Sequence, residues 1–280
     1  MAEPQLLLDG QMFLEGPRWH EDKLWFSDMH AHQVKTVDFE GRTEVIAEVP
    51  AWPSGLGWLA DGRLLIVSMT NRKLLRQDPD GLKVHADLNG LASFHCNDMV
   101  SDAKGRAYVG NFGYDLFTNE AKKPAELILV NPDGSARVAA DGLDFPNGTV
   151  ITADGKTLIV AESMGGRLTA FTVGDDGSLA NRRLFADLGK ATPDGIAIDA
   201  ENAIWVASPF THELILVKDG GEVTDRIKFE AMPIACALGG PQRRTLFILT
   251  SDSVDPEECR AKKSAKIYIR EVAIGGAGWP

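Results

Sequence analysis

Four side chains, Glu15, Asn97, Asn147 and Asp194, offer oxygen donors at matching points of a repeating sequence. Two are carboxylates and two are carboxamides. A set without sulfur or imidazole suits one hard divalent cation, Ca²⁺ first or Mg²⁺, with Mn²⁺, Fe²⁺ or Zn²⁺ also able to bind. Carboxylates buried together without compensation would cost roughly several kcal/mol each, or take up protons. A bound cation resolves that conflict. A water-filled channel solvated by the same groups is the alternative reading.

The repeat that sets these positions is clearest in the middle of the chain. Phe145-Pro146-Asn147-Gly148-Thr149-Val150-Ile151 leads through Ala153-Asp154-Gly155-Lys156 to the apolar run Thr157-Leu158-Ile159-Val160-Ala161-Glu162. Further copies begin at Leu14-Glu15-Gly16, Pro53-Ser54-Gly55, Cys96-Asn97-Asp98, Pro193-Asp194-Gly195 and Pro233-Ile234-Ala235. The equivalent positions Glu15, Ser54, Asn97, Asn147, Asp194 and Ile234 stand 39, 43, 50, 47 and 40 residues apart. Such spacing fits one four-stranded blade per copy. Turns such as Asp61-Gly62, Lys104-Gly105 and Asp154-Gly155 tolerate positive φ and separate the strands.

The expected fold is therefore all-β: residues 1–280 as a single six-bladed β-propeller domain of four-stranded blades. Inner strands of a propeller run beside its axis, so the four oxygen-bearing residues converge at one mouth of the channel. The longest interval contains 111–124, a loop projecting from one face. After the last apolar strand, Ala265 to Val272, the tail is too glycine-rich for a good fourth strand. Gln5-Leu6-Leu7-Leu8-Asp9 has no blade of its own, and is expected to close the last blade as its outer strand.

The chain has 280 residues, 44% hydrophobic and 25% charged, with a formal net charge of -11. That charge argues against nucleic acid and against anionic membranes as partners. The stretch Met1-Ala2-Glu3-Pro4-Gln5 has no basic segment followed by an apolar one, so no signal peptide is expected. No window approaches the roughly 18 apolar residues of a spanning helix. Cys96, Cys236 and Cys259 are odd in number and without paired spacing; buried thiols in a reducing cytoplasmic setting are expected.

Leu14-Glu15-Gly16-Pro17, Asn97-Asp98, Asn147-Gly148 and Pro193-Asp194-Gly195-Ile196, ordered at blade spacing, resemble the motifs of the regucalcin/gluconolactonase/luciferin-regenerating enzyme family. The resemblance extends over almost the whole chain, through Asp199-Ala200-Glu201, Ile204-Trp205-Val206-Ala207 and the late Gly239-Gly240. It implies a six-bladed propeller that hydrolyses lactones, usually sugar lactones, with one divalent cation. Carried over by position, Glu15, Asn147 and Asp194 would ligate the metal. Asn97 would lie beside it, touching substrate or joining the coordination through water. Asp194 would also be the general base.

One departure stands out. Many relatives carry an arginine two residues before the asparagine, where Ser93-Phe94-His95-Cys96-Asn97 places His95. In an extended segment His95 would share the face of Asn97, bind substrate by a hydrogen bond or shuttle a proton. Phe94 and the loop Asn111-Phe112-Gly113-Tyr114-Asp115-Leu116-Phe117 point to a less polar pocket, with Tyr114 a substrate contact. A sugar lactone still ranks ahead of an apolar or aromatic lactone or ester.

Other groups carry less chemistry. His30 and His32 lie after Trp25-Phe26-Ser27-Asp28 on a blade loop; they could line the channel mouth, but read first as exposed loop residues. Glu162-Ser163-Met164-Gly165-Gly166 opens no helix and lacks a nucleophile-elbow context, so neither a phosphate loop nor a serine hydrolase follows. Alternation turns the Cys96 thiol away from the channel. The segment Asp255-Pro256-Glu257-Glu258-Cys259-Arg260 reads as a solvated loop. Metal-dependent hydrolysis of a small-molecule lactone or ester is the leading expectation. Organophosphate hydrolysis and a non-catalytic calcium-binding regulatory propeller are the alternatives.

Overall fold

Short apolar runs bounded by tight Asp-Gly turns favour antiparallel meanders, and each repeat forms one. The computed structural model describes residues 3–118 and 120–277. Six four-stranded antiparallel sheets make up the six blades of a β-propeller. The fourth blade shows the logic: Pro146–Ile151 innermost, then Thr157–Glu162, Arg167–Val173 and Leu179–Asp187. Its inner strand is buried throughout, whereas most of its outer strand is exposed. At its first turn the Asp154 carboxylate accepts from the Lys156 amide at 3.0 Å, and Gly155 takes φ 70°.

Neighbouring inner strands meet so closely that a side chain between them is excluded. A Cβ on Gly148 would lie 2.5 Å from the Asp194 carbonyl oxygen, and one on Gly195 would lie 2.4 Å from the Ala235 Cβ. Gly148 N donates to Asp194 O at 3.2 Å, and Gly195 N to Ile234 O at 2.9 Å. The glycine after Glu15, Asn147 and Asp194 thus lets successive blades touch, which draws those positions together.

The core lies between blades. Leu65, Val67, Met99 and Val109 fill the space between the second and third, while Trp205, Cys236, Leu246 and Ile248 fill that between the fifth and sixth. All three cysteines are free and buried. Ring closure follows the expectation from the sequence. Strand Gln5–Gln11 pairs with Ala265–Glu271 at the outside of the last sheet, with Gln5 opposite Ile269. Leu7 and Leu8 pack on the cluster where Trp19 of the first blade stacks on Phe247 of the last, ring centroids 5.4 Å apart.

One segment differs from its reading as a solvated loop. Pro256–Lys262 is an α-helix. Asp255 caps it, accepting from Glu257 N and Glu258 N, each at 2.9 Å, and Pro256 occupies the first turn, where its missing N–H is harmless. Two turns are too short to display an apolar period, but the cap–Pro–Glu–Glu order was a readable start signal. Cys259 anchors the helix, 1% exposed. No helix among the described residues is long and apolar enough to cross a membrane.

Because Phe247 is 1% exposed at the seam joining the two ends of the ring, Phe247→Ala is expected to lower unfolding free energy by about 3–5 kcal/mol. Val84→Ala, at an outer-strand site 54% exposed, should change it by less than about 0.5 kcal/mol. Urea denaturation of both variants checks the contrast; equal effects would refute the seam as a main source of stability.

Candidate metal site and pocket

Glu15 in strand Leu14–His20, Asn97 in Cys96–Ser101, Asn147 in Pro146–Ile151 and Asp194, just before Ile196–Ile198, all line one cavity of about 380 Å³. Ser54 and Ile234, at the other two equivalent positions, are buried but lie outside this lining. The four residues form a polar floor. Asn147 Nδ2 donates to Asp194 Oδ1 and, at 3.2 Å, to Ser163 Oγ, whose own hydroxyl donates to the Pro193 carbonyl at 2.6 Å. Asn97 Nδ2 donates to the Pro146 carbonyl at 3.3 Å.

These bonds engage the side-chain amide nitrogens of both asparagines. Asn147 Oδ1 is buried with no hydrogen-bond partner, an arrangement that costs roughly 1–3 kcal/mol unless something accepts that lone pair. Burial, then the charges of Asp194 and Asp98, raise the Glu15 carboxyl well above its ordinary range. Burial and the Asp98 charge lift Asp194 to about 7, against the lowering effect of the Asn147 hydrogen bond. An orphaned amide oxygen beside two carboxylates that resist ionisation is a donor set which a hard cation would satisfy. Among the described residues no cluster of three or more His, Cys, Asp or Glu side chains could hold a metal ion, so a cation at this floor would draw on the carboxamides as well.

Beneath the floor lies a pair that the sequence analysis did not single out. Arg18 Nη2 contacts Asp98 Oδ1 at 2.9 Å, and both side chains are largely buried. Arg18 also donates to the Pro17 carbonyl at 2.8 Å and to the Met99 carbonyl. Its charge partly offsets the rise at Glu15. A signal was available: the residue after each equivalent position is Gly16, Gly55, Gly148, Gly195 or Ala235, and only Asp98 breaks that run of small side chains.

The walls come from two further repeat positions. Two residues ahead of the floor, Phe13, Trp52, Phe145 and Thr192 line the cavity. Trp52 and Phe145 hold φ of 63° and 64°, a conformation that costs a bulky residue energy and that here accompanies their place in the wall. The residue following the second strand of a blade supplies the next layer: Met29, Met69, Phe112 and Ser163. Their amides donate to the carbonyls of Phe13, Trp52, His95 and Phe145 at 2.8, 2.9, 2.9 and 3.1 Å. Higher up, Leu116 and Phe117 come from the loop after Asn111, Phe210 from a short turn at Pro209–Thr211, and Val254 from the approach to the helix.

His95 occupies the same repeat position as Phe13 and Phe145, but a bend at Ser93-Phe94 precedes it and the strand begins only at Cys96. Its ring stacks on Phe94 at 4.1 Å and lies 6.1 and 6.2 Å from Phe112 and Phe117. Those two rings line the cavity; His95 and Tyr114 are not part of the lining. Tyr114 is 4% exposed, edge-on to Phe145 at 6.1 Å, with its hydroxyl unpartnered. Cys96 is fully buried in the interblade core, away from the cavity.

His30 departs from the first reading of the loop histidines as exposed and takes the alternative, a place at the channel mouth. A 3-10 turn at Met29–Ala31, ended by His32 at φ 60°, turns it inward. It is 4% exposed and lines the cavity, its ring 5.3 Å from Phe13 and 5.1 Å from Trp52. Burial first, then the Arg260 charge, push its pKa down to about 4, so the imidazole is neutral at pH 7. His32 stays outside, Nδ1 2.8 Å from the Pro50 carbonyl.

Comparison with known proteins agrees with this architecture. The SMP-30/Gluconolactonase/LRE-like region matches residues 13–252, and the chain belongs to that family. It is similar to regucalcin of Xenopus laevis, 24% identical over 277 residues, covering 81% of this chain and 90% of the relative. The crystal structure of regucalcin from Agrobacterium tumefaciens, described as a calcium-binding protein, superposes with a TM-score of 0.82 at 21% identity, over 98% of this chain and 95% of that one. A gluconolactonase from Xanthomonas campestris is 25% identical with a TM-score of 0.74, over 95% and 89% of the two chains.

Glu15 and Asp194 bind protons more tightly in the folded protein than in an unfolded chain. In EDTA, the contribution of Asp194 to stability therefore falls as pH rises from about 4 through about 7, because the folded state must release a proton that the unfolded state has already lost, and Glu15 acts in the same direction. The gap in urea-unfolding free energy, wild type minus Asp194→Asn, should shrink or turn negative between about pH 5 and pH 8. A gap that is constant or widens across that window would contradict the assignment.

Proposed function

We propose that the protein is a metal-dependent hydrolase of lactones or carboxylic esters. The observation that carries this reading is the unpartnered Asn147 Oδ1 beside Glu15 and Asp194 at the floor of a deep cavity. Membership of a family with gluconolactonase relatives supports it. Glu15, Asn147 and Asp194 would hold the cation, Ca²⁺ by preference, with Asn97 beside them. When bound, that ion supplies a Lewis acid for the substrate carbonyl.

The chain's own groups do the remaining work. Asp194 sits where a carboxylate can take a proton from attacking water and return it to the departing alkoxide. Its Oδ1 takes the Asn147 hydrogen bond, and its Oδ2 accepts none among the described residues. Asn147 therefore orients Asp194, and its unpartnered Oδ1 would help hold the cation. Asn97, anchored through Nδ2 to the Pro146 carbonyl, offers Oδ1 to a water or substrate hydrogen. The aromatic walls exclude bulk water, which strengthens every polar contact at the floor. His95, stacked behind Phe112 and Phe117, and Tyr114, against Phe145, act by holding those rings rather than by touching the carbonyl.

Acid release from a lactone panel tests the reading. Chelation should abolish turnover and Ca²⁺ restore it, while Asp194→Ala should lower kcat/KM by about 10²–10⁴-fold with the circular dichroism unchanged. Ca²⁺ binding without turnover on any lactone or ester would favour a calcium-binding propeller with no catalytic role; the Agrobacterium relative is described as a calcium-binding protein. An Asp194→Ala variant as active as the parent would remove Asp194 from the chemistry.

A further inference from the structure

The cavity divides sharply by height. Its oxygen atoms gather on the floor, and the walls above are almost wholly carbon: Phe13, Met29, Trp52, Met69, Phe112 and Phe145 form the lower part. No lysine or arginine is among the lining residues. The polar side chains on the walls are few: Ser163, Thr192 and His30. Ser163 is committed to Pro193 and Asn147, whereas His30, a neutral ring between Phe13 and Trp52, keeps a buried Nδ1 without a hydrogen-bond partner, enough to meet one polar group but not a polyol.

A second observation lies outside the cavity proper. Among the described residues eleven large hydrophobic side chains are exposed, and four of them, Leu116, Phe117, Phe210 and Val254, stand together at this one mouth. They arise from three separate segments, so no single loop's composition explains the clustering. Phe117 is 54% and Phe210 62% exposed. Phe117 meets Trp52 edge-on at 6.4 Å, which makes wall and rim one continuous apolar surface. Clustered exposed carbon around a concave site marks a surface awaiting an apolar occupant.

These facts bear on substrate class. A polyhydroxylated lactone seated with its carbonyl at the floor would bury several hydroxyls against carbon, each losing a water partner. An alkyl or aromatic body loses nothing there and gains from removing its own surface and that of the walls from water. We propose that the natural substrate is a lactone or ester whose carbonyl is its main polar end and whose body is aromatic or long-chain aliphatic, with Phe117 and Phe210 as specificity-determining residues. The proposal rests on the hydrolase reading for its reaction and reverses the ranking of sugar lactones first. In that reaction the water oxygen bonds to the acyl carbon and the acyl C–O bond breaks. One water proton passes to the leaving oxygen, giving an acid and an alcohol, on one molecule when the substrate is a lactone. The product is an amphiphile that must leave through an apolar mouth.

The test compares Ca²⁺-loaded protein on gluconolactone, dihydrocoumarin and δ-dodecalactone. Expected is a kcat/KM on the order of 100-fold higher for the two apolar lactones. Phe117→Ser and Phe210→Ser should raise KM for them about tenfold while leaving kcat nearly unchanged. Binding is measured separately by tryptophan fluorescence, with dihydrocarbostyril (the non-hydrolysable lactam of dihydrocoumarin) and with gluconolactam. The apolar lactam should bind at least about tenfold more tightly. Gluconolactone turned over as well as the apolar lactones, or gluconolactam bound as tightly as dihydrocarbostyril, would overturn the proposal. Should no lactone be opened at all, the hydrolase reading fails, yet preferential binding of dihydrocarbostyril would still uphold the apolar class of ligand. Failure of both lactams to bind would overturn that class too.

Discussion

Close approach of neighbouring inner strands is the constraint from which the site follows. At Gly148 and Gly195 the next blade's backbone occupies the space a side chain would need, so the residues just before them, Asn147 and Asp194, come within hydrogen-bond reach. Two carboxylates and two carboxamides then share a volume too small and too dry for their charges. The rise in the Glu15 and Asp194 pKa values is the electrostatic expression of that crowding. Arg18, paired with Asp98 below, offsets part of it and fixes the underside of the floor. What the geometry asks for from above is positive charge.

The same repeat that builds the floor builds the walls. One position, two residues earlier, contributes Phe13, Trp52 and Phe145; another, just after the second strand, contributes Met29, Met69 and Phe112. Backbone hydrogen bonds tie the second position to the first in each of the first four blades. Height above the floor is thereby converted into polarity: oxygen at the base, carbon above. Such a gradient orients an amphiphilic molecule before any specific contact is made, because only one end of it can be buried without loss.

Much of this was legible beforehand because a propeller's periodicity is written in its sequence. Six copies of one motif gave the blade count and the floor positions, since both depend on local pattern repeated at fixed spacing, and the run from Gln5 to Asp9, with no blade of its own, pointed to the closing strand. His30 was not legible: its inward turn depends on a 3-10 turn and a left-handed residue at His32, and nothing in the order of residues distinguishes it from an exposed loop histidine. The helix Pro256–Lys262 announced its start through Asp255 and Pro256, but seven residues are too few for periodicity to speak. Alternation would have placed His95 beside Asn97; a bend before the strand leaves it against Phe94, Phe112 and Phe117 instead.

By itself, then, the sequence determined the ring and the identity of the four oxygen-bearing residues in it, because both are consequences of repeat position. Tertiary structure alone decided how those oxygens are shared: which amide N–H groups are used up, that Asn147 Oδ1 is left without a partner, and that Arg18 and Asp98 pair beneath. It also decided the character of the pocket. Aromatic and sulfur-bearing side chains from separate blades, together with rim residues from three unrelated segments, form one apolar surface only when the ring closes, since burial and contact across blades are properties of the folded whole.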